Sequence, residues 1–201
     1  MIRLSDFVID YFYKIGIRHV FTVSGGGSIF LCDSLHKSKK IQYIPCHHEQ
    51  AVSFAAESYA RQKNKISGAV VTTGPGGTNT ITGVSSCWID SIPTLFVSGQ
   101  VFLNQTIQKT GLRQLGVQEI DIISLVKPVT KYSVMIQDPN EIEFHLDKAV
   151  FEATSGRPGP VWIDIPANIQ NAMIDKKNLK KFVPKNKIKN LNIEKEIKFV
   201  A

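Results

Sequence analysis

The stretch SGAVVTTGPGGTNTITGVSSCW, residues 67–88, decides the fold. Ser67–Thr73 is a run of small and β-branched residues, the composition of a short buried strand. Gly74-Pro75-Gly76-Gly77 neither extends a strand nor fills a helix interior, so it reads as a turn. Thr78–Trp88 follows as a helix. A strand, a glycine turn and a helix in that order make the first part of a βαβ unit, the element from which parallel sheets are built.

Working outward from it, the unit recurs on both sides. Leu4, Phe7, Val8, Tyr11, Phe12 and Ile15 fall at i, i+3, i+4 spacing and stop at Gly16, a residue suited to the left-handed position past a helix end. His19–Val23 is a strand that runs into Ser24-Gly25-Gly26-Gly27 and then a helix near Ser28–His36. Ile41–Pro45 and Glu49–Arg61 are the next strand and helix. Beyond the central stretch come a strand at Thr94–Ser98 and a short helix at Ile120–Leu125. Asp138-Pro139-Asn140-Glu141 has the form of a capping box, followed by Ile142, Leu146, Ala149, Val150 and Ala153 on one apolar face. Pro160–Ile165 closes the series as a buried strand. The expected fold is α/β: a three-layer αβα arrangement around a mostly parallel central sheet. In such sheets ligands gather at the carboxyl ends of the strands, where the glycine turns lie.

Composition narrows the class. A chain of 201 residues fits one domain with an appended segment and can bury a core without disulfide or metal staples. Cys32, Cys46 and Cys87 are odd in number and form no C-x-x-C pair, so they read as small buried thiols. MIRLSDFVID has no basic-then-apolar leader pattern and no apolar run reaches membrane-spanning length, so a cytoplasmic protein without a membrane partner is expected. The formal charge of +7 resembles a nucleic-acid signal until it is counted by region. Residues 1–175 carry 15 basic and 15 acidic side chains, whereas residues 176–201 carry nine lysines against Glu194 and Glu196. The tail therefore reads as a solvated linker, and no nucleic-acid partner is expected.

Generic nucleotide motifs fail. Asn79 stands where G-x-G-x-x-G needs glycine, and neither glycine turn supplies the Lys of a P-loop. His47-His48-Glu49-Gln50-Ala51 says more: it follows a strand and opens a helix rich in Ala and Ser. Taken alone, Glu49 there is a first-turn carboxylate matched to the helix dipole. The five histidines show no ligand spacing, so no metal site is expected in this domain. Trp88, Phe7, Tyr11 and Phe12 read as core.

The blocks in sequence are FTVSGGG, HHEQAVSFAAESYAR, VVTTGPGGTNTITGVSSCWIDSIP, VSGQV, VQEIDIISLVKPVTKYS and GRPGPVWIDIP. Their order resembles the N-terminal, pyrimidine-binding domain of acetolactate synthase-like thiamine-diphosphate-dependent enzymes over roughly residues 1–170. The resemblance implies a pyrimidine-binding domain at 1–175 and, at 176–201, a Lys-rich linker toward a central domain that these residues do not contain. It implies a thiamine-diphosphate-dependent decarboxylase or carboligase acting on 2-keto acids. The cofactor would be held between this domain and a diphosphate-binding domain that carries Mg2+, in a homodimer or homotetramer. A central domain leaves room for FAD. The 201 residues by themselves are expected to be an inactive fragment. The alternatives are one subunit of a split decarboxylase and a non-catalytic dimerisation module.

By the same resemblance Glu49 is the catalytic carboxylate that activates the cofactor through pyrimidine N1′. Its surroundings are then expected to be apolar enough for it to share a proton at neutral pH. Gly25 and Gly26 belong to the first glycine turn, which faces the partner's cofactor and substrate, and Thr73, Gly74 and Asn79 to the loop near the pyrimidine. Asn79 either offers a side-chain hydrogen bond there or caps the following helix. Gln100 borders the reaction centre in relatives, or is polarity on a surface loop. His47 and His48 are expected to flank the helix rather than to act as acid and base. Phe102 and Leu115-Gly116-Val117-Gln118-Glu119 depart from acetolactate synthase, where Pro and an Ala-Phe-Gln-Glu stretch are usual, so acetolactate formation itself is left open.

Overall fold

The computed structural model describes residues 1–108 and 110–184. The first helix forms where the apolar spacing places it. A two-residue strand β1 (Ile2–Arg3) leads into α1 (Leu4–Lys14), whose buried face is Leu4, Phe7, Val8, Tyr11 and Phe12. Gly16 ends it at φ +92°, the left-handed conformation that glycine adopts without Cβ strain. Then follow β2 (His19–Thr22), α2 (Ile29–Lys37), β3 (Gln42–Pro45) and α3 (Glu49–Lys63). Asn64 closes α3 in the left-handed region, where asparagine is tolerated better than most residues.

The central stretch folds as β4 (Ser67–Val71), a single-turn α4 (Pro75–Thr78) and α5 (Ile81–Ile89). The helix expected from Thr78 thus begins three residues later, because Pro75 starts a separate turn that is spent by Thr78. β5 (Thr94–Gln100) runs on two residues past the expected end at Ser98. The later elements are α6 (Ile122–Val126), β6 (Tyr132–Met135), α7 (Ile142–Thr154), β7 (Val161–Pro166), α8 (Ala167–Gln170) and β8 (Met173–Ile174). The expected capping box is only half formed. Asp138 accepts from the Asn140 amide, but the Glu141 carboxylate turns to Lys180 instead of back to the cap.

Six strands form one sheet in the order β3-β2-β4-β5-β7-β6, and every pairing in it is parallel. β1 and β8 pair separately as a short antiparallel clasp. Alternation along the strands splits the core into two layers. Val20, Val70, Leu95, Val97, Val161, Ile163 and Ile165 pack with α1, α2, α7 and α8. Phe21, Ala69, Val71, Phe96 and Trp162 pack with α3, α5 and α6 on the other face. Phe96 and Trp162 stack with ring centroids 5.5 Å apart at the centre of that second layer. The fold is three-layered α/β.

The chain leaves β2 outward to β3, then crosses back to β4 on the other side of β2. That reversal opens a crevice at the carboxyl ends of β2 and β4, the position at which open α/β sheets bind ligands. Both glycine turns start there.

Two expectations about burial need correcting. Trp88 is 41 % exposed at the end of α5 and is not a core residue. Residues 176–184, read as the start of a solvated linker, lie on the body: Leu179 is buried in the first core layer, and Phe182 packs edge-on against Phe144. The remainder of that expected linker, 185–201, lies outside the described residues. Cys87 is buried and Cys32 and Cys46 partly so, all three as free thiols. Among the described residues no helix is long and apolar enough to cross a membrane.

Candidate active site

Glu49 is the first residue of α3, and its predecessor His48 is the N-cap, with Nδ1 accepting from the Gln50 amide at 3.1 Å. His48 therefore performs a structural task at the helix start. The cap aims the Glu49 side chain across the mouth of the crevice, where Glu49 Oε2 accepts from Asn79 Nδ2 at 3.0 Å. Asn79 follows α4 and is not the cap of α5, which is Thr80, so its side chain is free for this contact. Among the described residues Oε1 has no hydrogen-bond partner. Glu49 is half-buried, so the dry surroundings expected for it are not complete within one chain.

Glycines bring the two turns within reach of each other. A Cβ at Gly25 would lie 2.6 Å from the Thr72 side chain, and one at Gly76 would lie 2.6 Å from Thr72 Cγ2. Thr72 thus fills the space between the turns, and its Oγ1 accepts from the Gly27 amide at 3.0 Å. The first turn is held from beneath by β5, where a Cβ on Gly99 would stand 2.0 Å from the Gly27 carbonyl oxygen. Gly26 differs: nothing lies within 4 Å of its missing Cβ, and its backbone is exposed. A flat ring resting on Gly26 would meet bare backbone, with the unengaged Glu49 Oε1 at the same crevice.

Thr73 and Gln100 form a second, buried constellation. Thr73 Oγ1 donates to Gln100 Oε1 at 2.5 Å, and Gln100 Nε2 donates to the Ile120 carbonyl and to Asp164 Oδ2 at 3.1 and 3.2 Å. The Val101 amide donates to the same Oε1. Both lone pairs and both N–H groups of the amide are engaged, and Gln100 is 2 % exposed. Within this chain Gln100 is a brace between the turn and the segment before α6, not a side chain presented to the crevice.

Asp164 is the residue that the sequence reading passed over. It faces the second core layer from β7 and accepts from Ser98 Oγ at 2.5 Å as well as from Gln100, while Trp162 Nε1 donates to Ser98 Oγ at 2.8 Å. Burial pushes its carboxyl from an ordinary 3.8 up to about 7, against the pull of the Ser98 and Gln100 hydrogen bonds and with a further push from Asp121. The folded protein therefore holds a proton that the unfolded chain releases, and stability falls as pH rises from about 4 to about 7. His145, whose half-buried ring is shifted downward by desolvation, acts in the opposite sense just below 6.5. The Asp164 contribution is isolated by comparison with Asp164→Asn. Unfolding free energies from urea titrations at pH 5 and 7.5 should fall with pH more steeply in the wild type than in the variant, by up to a few kcal/mol. Equal falls in the two proteins would remove the assignment.

Gln100 also borders a cavity of about 310 Å³, together with Ile107, Glu119, Asp121, Met135 and Asp164. Glu119, also unassigned from sequence, is buried and accepts from the backbone amides of Ile107, Leu115 and Gly116, tying down the 102–119 loop. Among the described residues no group of three or more His, Cys, Asp or Glu is arranged to hold a metal ion.

With this geometry in place, comparison with known proteins gives the family. The model for the thiamine pyrophosphate enzyme N-terminal TPP binding domain matches residues 2–125. The chain belongs to that family. An acetolactate synthase of Arthrospira platensis is 36 % identical over 171 residues, which are 84 % of this chain and 28 % of that protein. The acetolactate synthase large subunit of Lactococcus lactis is 33 % identical over 174 residues, 87 % of this chain and 29 % of its own length. The chloroplastic acetolactate synthase of Arabidopsis thaliana is 34 % identical over 172 residues, 84 % of this chain and 24 % of its own. The chain thus spans less than a third of the length of these relatives. As a thiamine pyrophosphate enzyme domain, it carries Glu49, both glycine turns, Asn79 and Gln100 inside the matched region.

Proposed function

We propose that this domain forms the aminopyrimidine half of a thiamine-diphosphate site in an enzyme that decarboxylates a 2-keto acid and transfers or releases the resulting acyl unit. The single observation that carries this reading is the Glu49 carboxylate, half-buried at the sheet's switch point with one oxygen held by Asn79 and the other unengaged. When bound, thiamine diphosphate would supply nucleophilic carbon chemistry toward a 2-keto acid. Glu49 holds a proton at pyrimidine N1′ through Oε1. Asn79 keeps the carboxylate from rotating away, and the backbones of Gly25, Gly26, Gly74 and Gly76 form a floor without side chains. The diphosphate and its Mg2+ are assigned to a second domain, as the resemblance implies; among the described residues no three His, Cys, Asp or Glu side chains are arranged to hold such an ion.

The outer face of α3 and α5 suits that partnership. Ala51, Ser58 and Thr82 are exposed small residues there, with Phe54 and Ile89 as exposed apolar ones. Small side chains permit close approach of another chain, and covering this face next to Glu49 would complete the dry surroundings that its chemistry requires. This favours a homodimeric or homotetrameric enzyme over an isolated domain.

Calorimetric titration with thiamine diphosphate and Mg2+ tests the reading on the protein that carries this domain together with its diphosphate-binding half. Binding is expected for the wild type. Gly26→Ala should unfold within about 0.5 kcal/mol of the wild type, because nothing crowds the added methyl. The same methyl should weaken cofactor binding by about tenfold or more, because it stands between ring and backbone. No binding at all by the wild type would withdraw the proposal, and full affinity in Gly26→Ala would remove the floor assigned to the first turn.

A further inference from the structure

We infer that Asp164 is a positioning residue for this site, acting through Gln100 on Thr73 at the root of the Gly74–Asn79 turn; the step rests on the reading of Glu49 given above. Asp164 is 1 % exposed on an interior strand, flanked by Ser98 on β5 and Met135 on β6. A carboxyl in such a place is costly to bury, and an apolar residue of similar size would fill the volume at lower cost. Its contribution lies in what it orients.

The orientation can be followed atom by atom. Trp162 Nε1 donates to Ser98 Oγ, Ser98 Oγ donates to Asp164 Oδ1, and Gln100 Nε2 donates to Asp164 Oδ2. This leaves Gln100 Oε1 turned toward Thr73 Oγ1, which donates to it. Rotating the amide by half a turn would set Nε2 against the Val101 N–H and Oε1 against both the Ile120 carbonyl and the carboxylate. Only one amide orientation satisfies every partner. Thr73 is the last residue before the turn, and its carbonyl accepts from the Gly76 amide at 3.2 Å. The turn in turn delivers Asn79 to Glu49. Buried polar contacts thus lead from β7 to Thr73, and the backbone of the turn carries the series on to Asn79 and the half-buried carboxylate in the crevice.

Asparagine at 164 breaks the series without emptying the space. If its Oδ1 accepts from Gln100, its amide faces Ser98 and the Ser98 hydroxyl proton loses its acceptor. If it turns the other way, two N–H groups oppose each other across the Gln100 contact. Either arrangement loosens Gln100, and with it Thr73, while leaving the glycine floor in place.

The test uses the holoenzyme loaded with thiamine diphosphate and Mg2+ at about pH 8.5, where Asp164 is ionised and accepts at both oxygens, with exchange of the cofactor C2 proton as the readout. Asp164→Asn and Gln100→Ala should each slow exchange by about tenfold, the scale expected for sub-ångström misplacement of a reacting group. The double variant should be no slower than the slower single, because both changes remove one path. Cofactor affinity should stay within about twofold of the wild type, which general destabilisation would not allow. Wild-type exchange in Asp164→Asn, multiplied effects in the double variant, or loss of cofactor affinity in step with exchange would each overturn the inference. Should Asp164→Asn fail to fold, Asp164→Ser, smaller and uncharged, undergoes the same measurements against the same outcomes. Slow exchange in Glu49→Gln alongside normal exchange in Asp164→Asn would remove this inference and leave the reading of Glu49 standing.

Discussion

Replacing Glu49 by Gln in the holoenzyme is expected to slow exchange of the cofactor C2 proton by at least on the order of 10²-fold, with cofactor affinity little changed. Glutamine fits the same volume and its side-chain oxygen still accepts from Asn79 Nδ2, so the helix start and the Asn79 contact survive. What it lacks is an ionisable oxygen in the place of Oε1. An amide there offers N–H groups and cannot take or return a proton at N1′. The proposal assigns this residue proton traffic and not binding, so rate and affinity must separate. A ligand role would show the reverse pattern, with weakened binding and an unchanged exchange rate for the cofactor that remains bound. Exchange at the wild-type rate in Glu49→Gln would end the case for cofactor activation by this residue. The measurement is proton–deuterium exchange at C2 by rapid quench and NMR, at saturating cofactor.

The parts of this fold that were legible in sequence are those written in local pattern. Val70-Val71, Leu95-Phe96-Val97 and Val161-Trp162-Ile163 are buried on both faces, so they read as apolar runs wherever they occur. β6 was missed because Tyr132-Ser133-Val134-Met135 is an edge strand, half-exposed throughout and only four residues long. Nothing in its composition separates it from a loop. The β1–β8 clasp, with two residues a side, lies below any periodic signal. Leu179 and Phe182 were hidden by the lysines around them, although Leu179 joins the first core layer and Phe182 packs on Phe144 and Phe151 of α7.

The site divides in the same way. Glu49, the glycine turns and Asn79 stand in short motifs, so a linear reading finds them together. Asp164 was visible as a lone acid in the apolar strand VWIDIP, but its meaning depends on Ser98 and Gln100, 66 and 64 residues earlier in the chain. Spacing along a sequence cannot show which strand lies beside which. Gln100 was read from its block as bordering the reaction centre or as polarity on a surface loop. The surface loop is ruled out, because the strand continues to residue 100 and the amide is 2 % exposed with its hydrogen-bonding capacity filled from within. Thr72 gave no signal at all: a β-branched residue at a strand end is ordinary until glycines on two other segments close around it.

Gly74→Ala should be far more damaging than Gly26→Ala or Gly16→Ala, at about 2–5 kcal/mol of stability. Two separate penalties meet at this residue. Its backbone lies at φ +59° and ψ −124°, a region that residues with a Cβ rarely enter. The added methyl would also stand 2.1 Å from the Gln118 carbonyl oxygen, a backbone atom that no rotamer change can move. Gln118 is itself at φ 57°, and the adjacent Glu119 carboxylate pins the loop by three backbone amides, so the loop has little freedom to retreat. Gly16→Ala provides the comparison. Gly16 also has positive φ, but nothing lies within 4 Å of its missing Cβ, so that variant carries the backbone strain alone, about 1–2 kcal/mol. Urea midpoints of the two variants should therefore differ in the order wild type, Gly16→Ala, Gly74→Ala. The functional consequence should follow the same structural logic. Displacing Gly74 pushes the turn away from the 102–119 loop, moves Asn79 from Glu49, and should lower C2-proton exchange even in the fraction that remains folded. Equal midpoints for the two variants would mean that the loop yields to the methyl, and the close seat of Gly74 on Gln118 would then not be what fixes Asn79 against Glu49.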